Sequence, residues 1–140
     1  MATNISTIHI NSPIQKVWNV LTQPELVKKW QYGSDLITDW KVGSDIRFRT
    51  EWEGKWFEQW GKILVMVKHH LIKYSLFAPR PGLEDKAENY FIMIYRLEEK
   101  EGYTNLEIIQ EDNRPGAKQE APQGEENPVL IALRTLSESL

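Results

Sequence analysis

The chain has 140 residues, 41% of them hydrophobic, and a formal net charge of −3, which is enough to fill one core and predicts a single domain over residues 1–140. The absence of cysteine excludes disulfide bonds, thiolate nucleophiles and cysteine-ligated zinc, and a pI near 5.7 argues against nucleic acid as a partner. No apolar run approaches the roughly 18 residues of a membrane-spanning helix, and the first residues lack the basic and apolar regions of a signal peptide, so we expect a cytoplasmic protein without membrane insertion.

The chain begins with a pattern typical of one strand followed by two short helices. Residues 4–10 alternate in polarity, as a half-buried strand does. Ser12 and Gln15 have the spacing of a capping box, which predicts Ser12 as the N-cap of a helix whose apolar stripe runs to Thr22. Pro24 suits the first position of a second, shorter helix.

Residues 35–111 have the two-residue period of an antiparallel meander of strands. The clearest strand spans residues 46–53, and its two faces carry Ile46, Phe48, Thr50 and Trp52 against Arg47, Arg49, Glu51 and Glu53. Burying the four charged side chains would cost more than burying their neighbours returns, so we expect the charges at the surface. Turns are predicted at Glu53-Gly54-Lys55, at His69-His70 and at Lys100-Glu101-Gly102.

The last part of the chain is predicted to be a polar loop followed by a helix. Residues 112–127 contain almost no apolar side chain, so we expect this segment to be the most mobile internal loop. Asn127 followed by Pro128 is typical of a helix start. Apolar residues then recur with helical spacing and predict a helix over residues 128–140, packed on the sheet through Val129, Leu133, Leu136 and Leu140.

Several short motifs, in this order of elements, resemble a known superfamily. They are Ile8-His9-Ile10-Asn11-Ser12-Pro13 followed by residues 17–22, the segment Pro24–Trp30, Trp40-Lys41-Val42-Gly43-Ser44, Gly61-Lys62-Ile63 and Gly102-Tyr103-Thr104-Asn105-Leu106. The chain resembles the START-like (SRPBCC) superfamily over nearly its whole length, and within it the heat-shock-protein ATPase activator homologue family. The resemblance implies an α+β helix-grip fold, in which a curved antiparallel sheet of six to seven strands surrounds a C-terminal helix and two short helices follow the first strand.

The same resemblance limits what can be said about function. No strict catalytic motif defines the superfamily, so no catalytic residue can be transferred to this chain. The terminal helix is short and lacks the tryptophan that is common near its start. We therefore expect the pocket that the helix covers to be small or open at one end.

Aromatic residues are the most unusual feature of the composition, with six Trp, five Tyr and four Phe. They are expected either to line a pocket for a flat apolar ligand or to fill the core beneath the helix. The candidate ligand-binding residues are Phe48, Trp52, Trp56, Gln59, Tyr74, Met93, Tyr95, Leu106, Ile108, Gln110, Val129 and Leu133. Among these, the two glutamines and two tyrosines could orient a ligand carbonyl or hydroxyl, or be satisfied within the sheet.

Three classes of function remain open from the sequence. The first is binding of a small apolar molecule, such as a lipid, a polyketide or an aromatic metabolite, although a second subunit in a homodimer could cover the same apolar surface. The second is a cyclase or dehydratase reaction, for which the sequence shows no paired acid and base. The third is a protein-interaction module resembling the C-terminal domain of a chaperone ATPase activator. No cofactor is expected, and no metal site, because His69 and His70 are adjacent in a predicted turn.

Overall fold

Seven antiparallel strands and three α-helices form the structure, a computed structural model that describes residues 2–31, 33–124 and 127–140. In chain order the elements are β1 (Ala2–Ile10), α1 (Ile14–Thr22), α2 (Pro24–Trp30), β2 (Asp35–Ile37), β3 (Asp45–Trp52), β4 (Lys55–Val67), β5 (Leu71–Leu76), a 3-10 turn at Ala87–Asn89, β6 (Phe91–Lys100), β7 (Tyr103–Asp112) and α3 (Pro128–Ser139). The strands lie in one open sheet in the order β1-β7-β6-β5-β4-β3-β2. The predicted α+β helix-grip fold is confirmed.

Two tight hairpins join β3 to β4 and β6 to β7, as the turn residues predicted. At the first, Glu53 and Gly54 have φ angles of 50° and 77°, and at the second, Glu101 and Gly102 have φ angles of 47° and 87°. Two consecutive residues with positive φ match the right-handed twist of the flanking strands, and glycine adopts this conformation without steric cost. The register of both hairpins therefore follows directly from their turns.

The sheet has an inner face, which meets the helices, and an outer face. On β3, Ile46 and Phe48 point inward and are buried, at 0% and 8% exposure. Arg47 and Arg49 point to the outer face, where both form ion pairs with Glu58 on β4. The expectation that these charges stay out of the core is confirmed, and it determines which side chains of every strand face the helices.

The start of α1 differs from the prediction of a capping box. The helix begins at Ile14, and no side chain of the preceding residue caps it. Ser12 is buried, and its hydroxyl donates to the carbonyl of Ser137 at 3.1 Å, so it joins α1 to α3 instead. The Glu99 carboxylate takes the capping role, because it accepts a hydrogen bond from the Ile14 amide at 2.6 Å.

The helix α3 begins as predicted and packs through Val129, Leu133 and Leu136, but not through Leu140. The Asn127 side chain accepts hydrogen bonds from the amides of Val129 and Leu130 at 2.9 and 3.4 Å, which confirms it as the N-cap. The most deeply buried residues of the helix are Leu130, Leu133 and Ser137. The predicted stripe is therefore wrong at its end, where Leu140 is 46% exposed. Leu140 follows the last helical residue, Ser139, so it lies past the part of α3 that packs on the core, whereas Ser137 is buried beside Ser12.

Residues 113–124 run along the free edge of β1. The Thr7 amide donates to the Gln123 carbonyl at 2.9 Å, and the Gln123 amide donates to the Ile5 carbonyl at 3.0 Å. The Thr3 amide also donates to the Gln119 side chain at 2.8 Å. These bonds cover backbone groups that an edge strand would otherwise leave unpaired. The mobility expected for residues 112–127 stays a prediction, and Gln123 is the position where the contacts oppose it most directly.

Candidate ligand-binding cavity

A cavity of two adjoining lobes lies between the helices and the inner face of the sheet. The lobes measure about 370 and 380 Å³. Both are lined by Gln31, Ser34, Met93 and Tyr95, so they meet at the centre of the sheet. The space exists because α3 packs against β1, α1 and α2 rather than directly against the strands β3 to β6. The sequence predicted that a short terminal helix would cover only part of a long sheet, and the contacts of α3 agree with this prediction.

The first lobe is lined by inward-pointing side chains from five neighbouring strands. Apart from the four residues shared by the lobes, they are Phe48, Thr50, Phe57, Gln59, Tyr74, Leu76, Phe91 and Gln110. The strand register explains this grouping, since Phe48 lies opposite Gln59 and Thr50 lies opposite Phe57 across the β3–β4 hairpin. The lobe is therefore mainly aromatic and aliphatic, with neutral polar groups at intervals.

The second lobe lies under the start of α3. Its further lining residues are Ser6, Trp30, Ile108, Asn127, Val129 and Leu130. Trp30 is buried and its indole N–H donates to the Val20 carbonyl at 2.7 Å, which holds the ring in place. Asn127 is occupied in capping α3. Trp30 and Asn127 thus contribute to this lobe side chains whose N–H or carbonyl groups already have partners in the protein.

Two buried tyrosines form the polar centre of the cavity wall. The hydroxyl oxygens of Tyr74 and Tyr95 lie 2.6 Å apart, and the rings meet edge to face with centroids 5.6 Å apart. The side chain of Gln31 also hydrogen bonds to Tyr95. Two hydroxyl groups carry two hydrogens, and one is used between the oxygens. The other hydrogen remains for an acceptor outside the pair.

Burial governs the titration of both tyrosines. It raises the pKa of Tyr74 well above the ordinary value, and the neighbouring Tyr95 adds to the increase. Burial also raises the pKa of Tyr95, while hydrogen bonds from Tyr74 and Gln31 act in the opposite direction. Both side chains are therefore neutral phenols at physiological pH, able to donate and accept hydrogen bonds but unsuited to act as bases.

An alkaline titration should show this effect. Because the pKa values of Tyr74 and Tyr95 are higher in the folded than in the unfolded chain, their contribution to stability is complete below about pH 10 and is lost as the pH rises through the folded-state values. Phenolate absorbance should then rise in two steps as the pH increases. The late step should coincide with unfolding, which is followed by circular dichroism. Tyr74→Phe should reduce the late step. A late step of unchanged amplitude in that variant would contradict the assignment.

Eight of the twelve predicted site residues line the cavity. They are Phe48, Gln59, Tyr74, Met93, Tyr95, Ile108, Gln110 and Val129. Leu106 and Leu133 instead lie fully buried in the core, at 0% exposure. They are excluded from the lining because they pack beneath it, where Leu106 pairs with Leu97 and Ile8 across the sheet.

The structure does not bring Trp52 and Trp56 into the cavity. Both lie at the tip of the β3–β4 hairpin, where they are 66% and 55% exposed. Trp56 points to the outer face, and the Arg49 guanidinium lies 5.0 Å from its ring centroid. Trp52 shares the face of Phe48 but lies beyond the end of the lining. A hairpin tip carries its side chains past the edge of the sheet, which the alternation pattern alone does not reveal.

Several lining residues were missed in the sequence. Phe57 could have been found by counting the hairpin register back from Gly54, because it lies opposite Thr50. No comparable signal marks Gln31 and Ser34, which follow α2 in a turn and reach the cavity only through the packing of that helix. Their position depends on long-range contacts.

Residues 2–31, 33–124 and 127–140 contain no group of three or more histidine, aspartate or glutamate side chains that could hold a metal ion. Within the same residues, no helix is long and apolar enough to cross a membrane.

Comparisons with known proteins identify the family. The family model described as "Activator of Hsp90 ATPase homolog 1-like protein" matches residues 11–130. A protein from Cytophaga hutchinsonii, solved in solution, is 35% identical over 80% of this chain and 78% of its own, with a TM-score of 0.66. An HSP90 activator from Plasmodium falciparum has the same fold, with 20% identity, 84% and 77% coverage and a TM-score of 0.65. So does a protein from Nitrosomonas europaea, with 17% identity, 99% and 95% coverage and a TM-score of 0.74.

No curated protein matches the chain. The family match nevertheless covers most of the sequence, including both short helices, all strands after β1 and the start of α3. The chain belongs to the Activator of Hsp90 ATPase homolog 1-like protein family.

Proposed function

We propose that this protein binds a small, mostly apolar molecule that carries a hydrogen-bond acceptor, in the cavity between the sheet and α3. Lipids, polyketides and aromatic metabolites with a carbonyl or hydroxyl oxygen have this chemistry. Lobes of about 370 and 380 Å³ fall in the size range of small-molecule sites.

The observation that carries the proposal is the hydrogen left over by the Tyr74–Tyr95 pair. The same lobe contains the apolar side chains of Phe48, Leu76 and Phe91, together with neutral polar groups. A hydrogen bond is stronger in a buried, apolar setting than in water, so a ligand oxygen that accepts this hydrogen, beside or in place of Gln31, would be held at the tyrosine pair. The neutral amides of Gln59 and Gln110 could assist in orienting the same end of the ligand.

Binding is favoured over a cyclase or dehydratase reaction by the groups in the wall. Among the described residues that line one lobe or the other, the titratable side chains are Tyr74 and Tyr95. Burial raises the pKa of each, so neither is prepared to remove a proton near neutral pH. An acid–base reaction would need a second group of complementary pKa, and these walls offer amides and aliphatic hydroxyls instead.

The test uses a matched pair of ligands, benzophenone and diphenylmethane, which differ in one carbonyl. Each is titrated against the fluorescence of bound anilinonaphthalene sulfonate. We expect benzophenone to displace the dye about threefold to tenfold more effectively than diphenylmethane, because a net hydrogen bond contributes on the order of 1 kcal/mol. The advantage should vanish when Tyr74→Phe and Tyr95→Phe are combined, since either hydroxyl alone could still donate.

Tyr103→Phe is the control, because Tyr103 stacks on His9 at 4.1 Å and does not line either lobe. It should preserve the carbonyl preference. No dye binding by the parent, or an equal preference in the double variant, would overturn the proposal. Native mass spectrometry of freshly purified protein would identify a co-purified ligand directly.

A protein-interaction module is the alternative, and the exposed hairpin tip favours it. Trp52, Trp56 and Phe57 are 66%, 55% and 54% exposed there, and large exposed apolar side chains in one place are typical of interaction surfaces. The Plasmodium falciparum structure with this fold is an HSP90 activator. If the parent stimulated Hsp90 ATPase and Trp52→Ala abolished this effect without dye binding in either protein, the alternative would replace the cavity proposal.

A further inference from the structure

A second groove lies on the outer face of the sheet, opposite the cavity. It measures about 560 Å³ and lies between β4, β6 and the segment that connects β5 to β6. Leu64 and Ile92 form an apolar floor, and Trp60 and Tyr90 form walls. None of these residues lines either lobe of the inner cavity, so the outer groove is a separate site.

The aromatic walls are built on a buried ring. Phe77, which is 2% exposed, lies 5.3 Å from the Trp60 ring and 5.4 Å from the Tyr90 ring, measured between centroids. Backbone hydrogen bonds in both directions join Trp60 and Phe77, at 2.7 and 3.2 Å. The two wall rings are therefore held by the sheet rather than by the loop alone.

Asp85 is placed at the end of these walls by two ring donors. One carboxylate oxygen accepts from the Trp60 indole N–H at 3.0 Å, and the other accepts from the Tyr90 hydroxyl at 2.5 Å. A carboxylate has about four acceptor positions, so each oxygen keeps capacity for a further donor. The Asn89 side chain, which donates to the Glu84 carbonyl at 2.8 Å, holds the loop closed behind Asp85.

The charge of Asp85 has no cationic partner within 4 Å among the residues that the structure describes. The other charged groups around the groove are already matched: Lys62 with Asp45, Arg47 with Glu58, and Lys86 with Glu84 and Glu88. An uncompensated carboxylate that keeps free acceptor positions attracts a cation with N–H donors, and the hydrogen bonds of such a charged pair are stronger than neutral ones. This combination selects for an ammonium group.

We propose that the outer groove binds an organic ammonium ion with an apolar body, the nitrogen at Asp85 and the body between Trp60 and Tyr90 over Leu64 and Ile92. The ammonium could belong to a free amine or to a lysine side chain of a peptide, since both present the same chemistry. This site is independent of the ligand proposed for the inner cavity.

The test is an NMR titration of the Trp60 indole N–H signal, assigned by its loss in Trp60→Phe. Phenethylammonium is compared with its neutral analogue 2-phenylethanol, and a capped lysine amide is the peptide arm. We expect phenethylammonium to bind roughly tenfold more tightly than the alcohol, because a hydrogen bond to a charged partner is stronger than a neutral one. Added salt should weaken it. Whichever of the two cations binds more tightly, phenethylammonium or the lysine amide, identifies the source of the ammonium group.

Asp85→Asn should remove the preference for the cation while keeping an acceptor for the ring donors. Glu25→Gln, which removes one exposed charge from α2, should leave the preference unchanged and is the matched control. If Asp85 only braces the rings, Asp85→Asn would lower the melting temperature while the parent showed equal shifts with amine and alcohol. That result, or no shift at all with the two cations, would overturn the proposal.

Discussion

Gly61→Ala should destabilise the fold by about 3 kcal/mol or more, because it places a methyl group where the backbone of the next strand already lies. A Cβ at this position would be 1.8 Å from the Ser75 carbonyl oxygen and 2.5 Å from the Ser75 carbonyl carbon. Both atoms are main chain, so no rotamer change can relieve the overlap. Strands β4 and β5 would have to separate at this point.

Separation would be costly because neighbouring interactions depend on the close approach. The Lys62 amide donates to the Ser75 hydroxyl at 3.1 Å, and Trp60 pairs with Phe77 through two backbone hydrogen bonds. Thermal and urea unfolding should report the loss, with a melting temperature lower by roughly 10 °C for a domain of this size. Domains of this kind are stable by only about 5 to 15 kcal/mol, so poor yield of folded protein is part of the expected result.

Gly43→Ala is the matched control, because Gly43 has a φ of 89° and nothing within 4 Å of the added carbon. This substitution should destabilise the fold by only about 1 kcal/mol, the cost of placing alanine at a positive φ angle. If Gly61→Ala were no more destabilising than Gly43→Ala, the close approach of β4 and β5 would not be a constraint on the sequence.

Local patterns were sufficient to predict the elements and most turns of this fold. Residues 46–53 alternate strictly, and burying their charges was unfavourable, so the face of β3 could be assigned without a structure. The turns at Gly54 and Gly102 are likewise local, since glycine adopts a positive φ without steric cost. Predictions failed where a side chain had a better distant partner. Serine is a common N-cap residue, yet the buried hydroxyl of Ser12 donates a hydrogen bond to the carbonyl of Ser137, far away in sequence.

The inner cavity was predicted only in part, because local patterns do not show how distant elements pack. Tyr74, Met93 and Tyr95 were among the candidate binding residues, and the structure places all three in the lining. Alternation could not show that Leu106 lies deeper on that face, because depth depends on where α1 and α3 pack. The outer groove was missed altogether, since Trp60, Phe77, Asp85 and Tyr90 come together only through the fold of the β5–β6 connection.

The difference between core and lining can be measured on α3 itself. Leu133→Ala should lower the free energy of unfolding by about 3 kcal/mol, because it removes a fully buried side chain and leaves a cavity. Leu133 has 0% exposure and packs in the main core. Urea unfolding should show a lower midpoint with an unchanged slope. The folded fraction of this variant should still bind anilinonaphthalene sulfonate with the affinity of the parent.

Val129→Ala is the comparison, one turn earlier on the same helix, where the side chain is half-buried and lines the second lobe. It should cost less than about 1 kcal/mol, since part of the side chain is already in contact with solvent, and it should weaken dye binding. If the cavity ends above Leu133, Leu133→Ala therefore lowers stability without weakening dye binding, whereas Val129→Ala weakens dye binding with little loss of stability. A Leu133→Ala protein of normal stability that bound the dye poorly would place Leu133 in the lining, as the sequence had predicted.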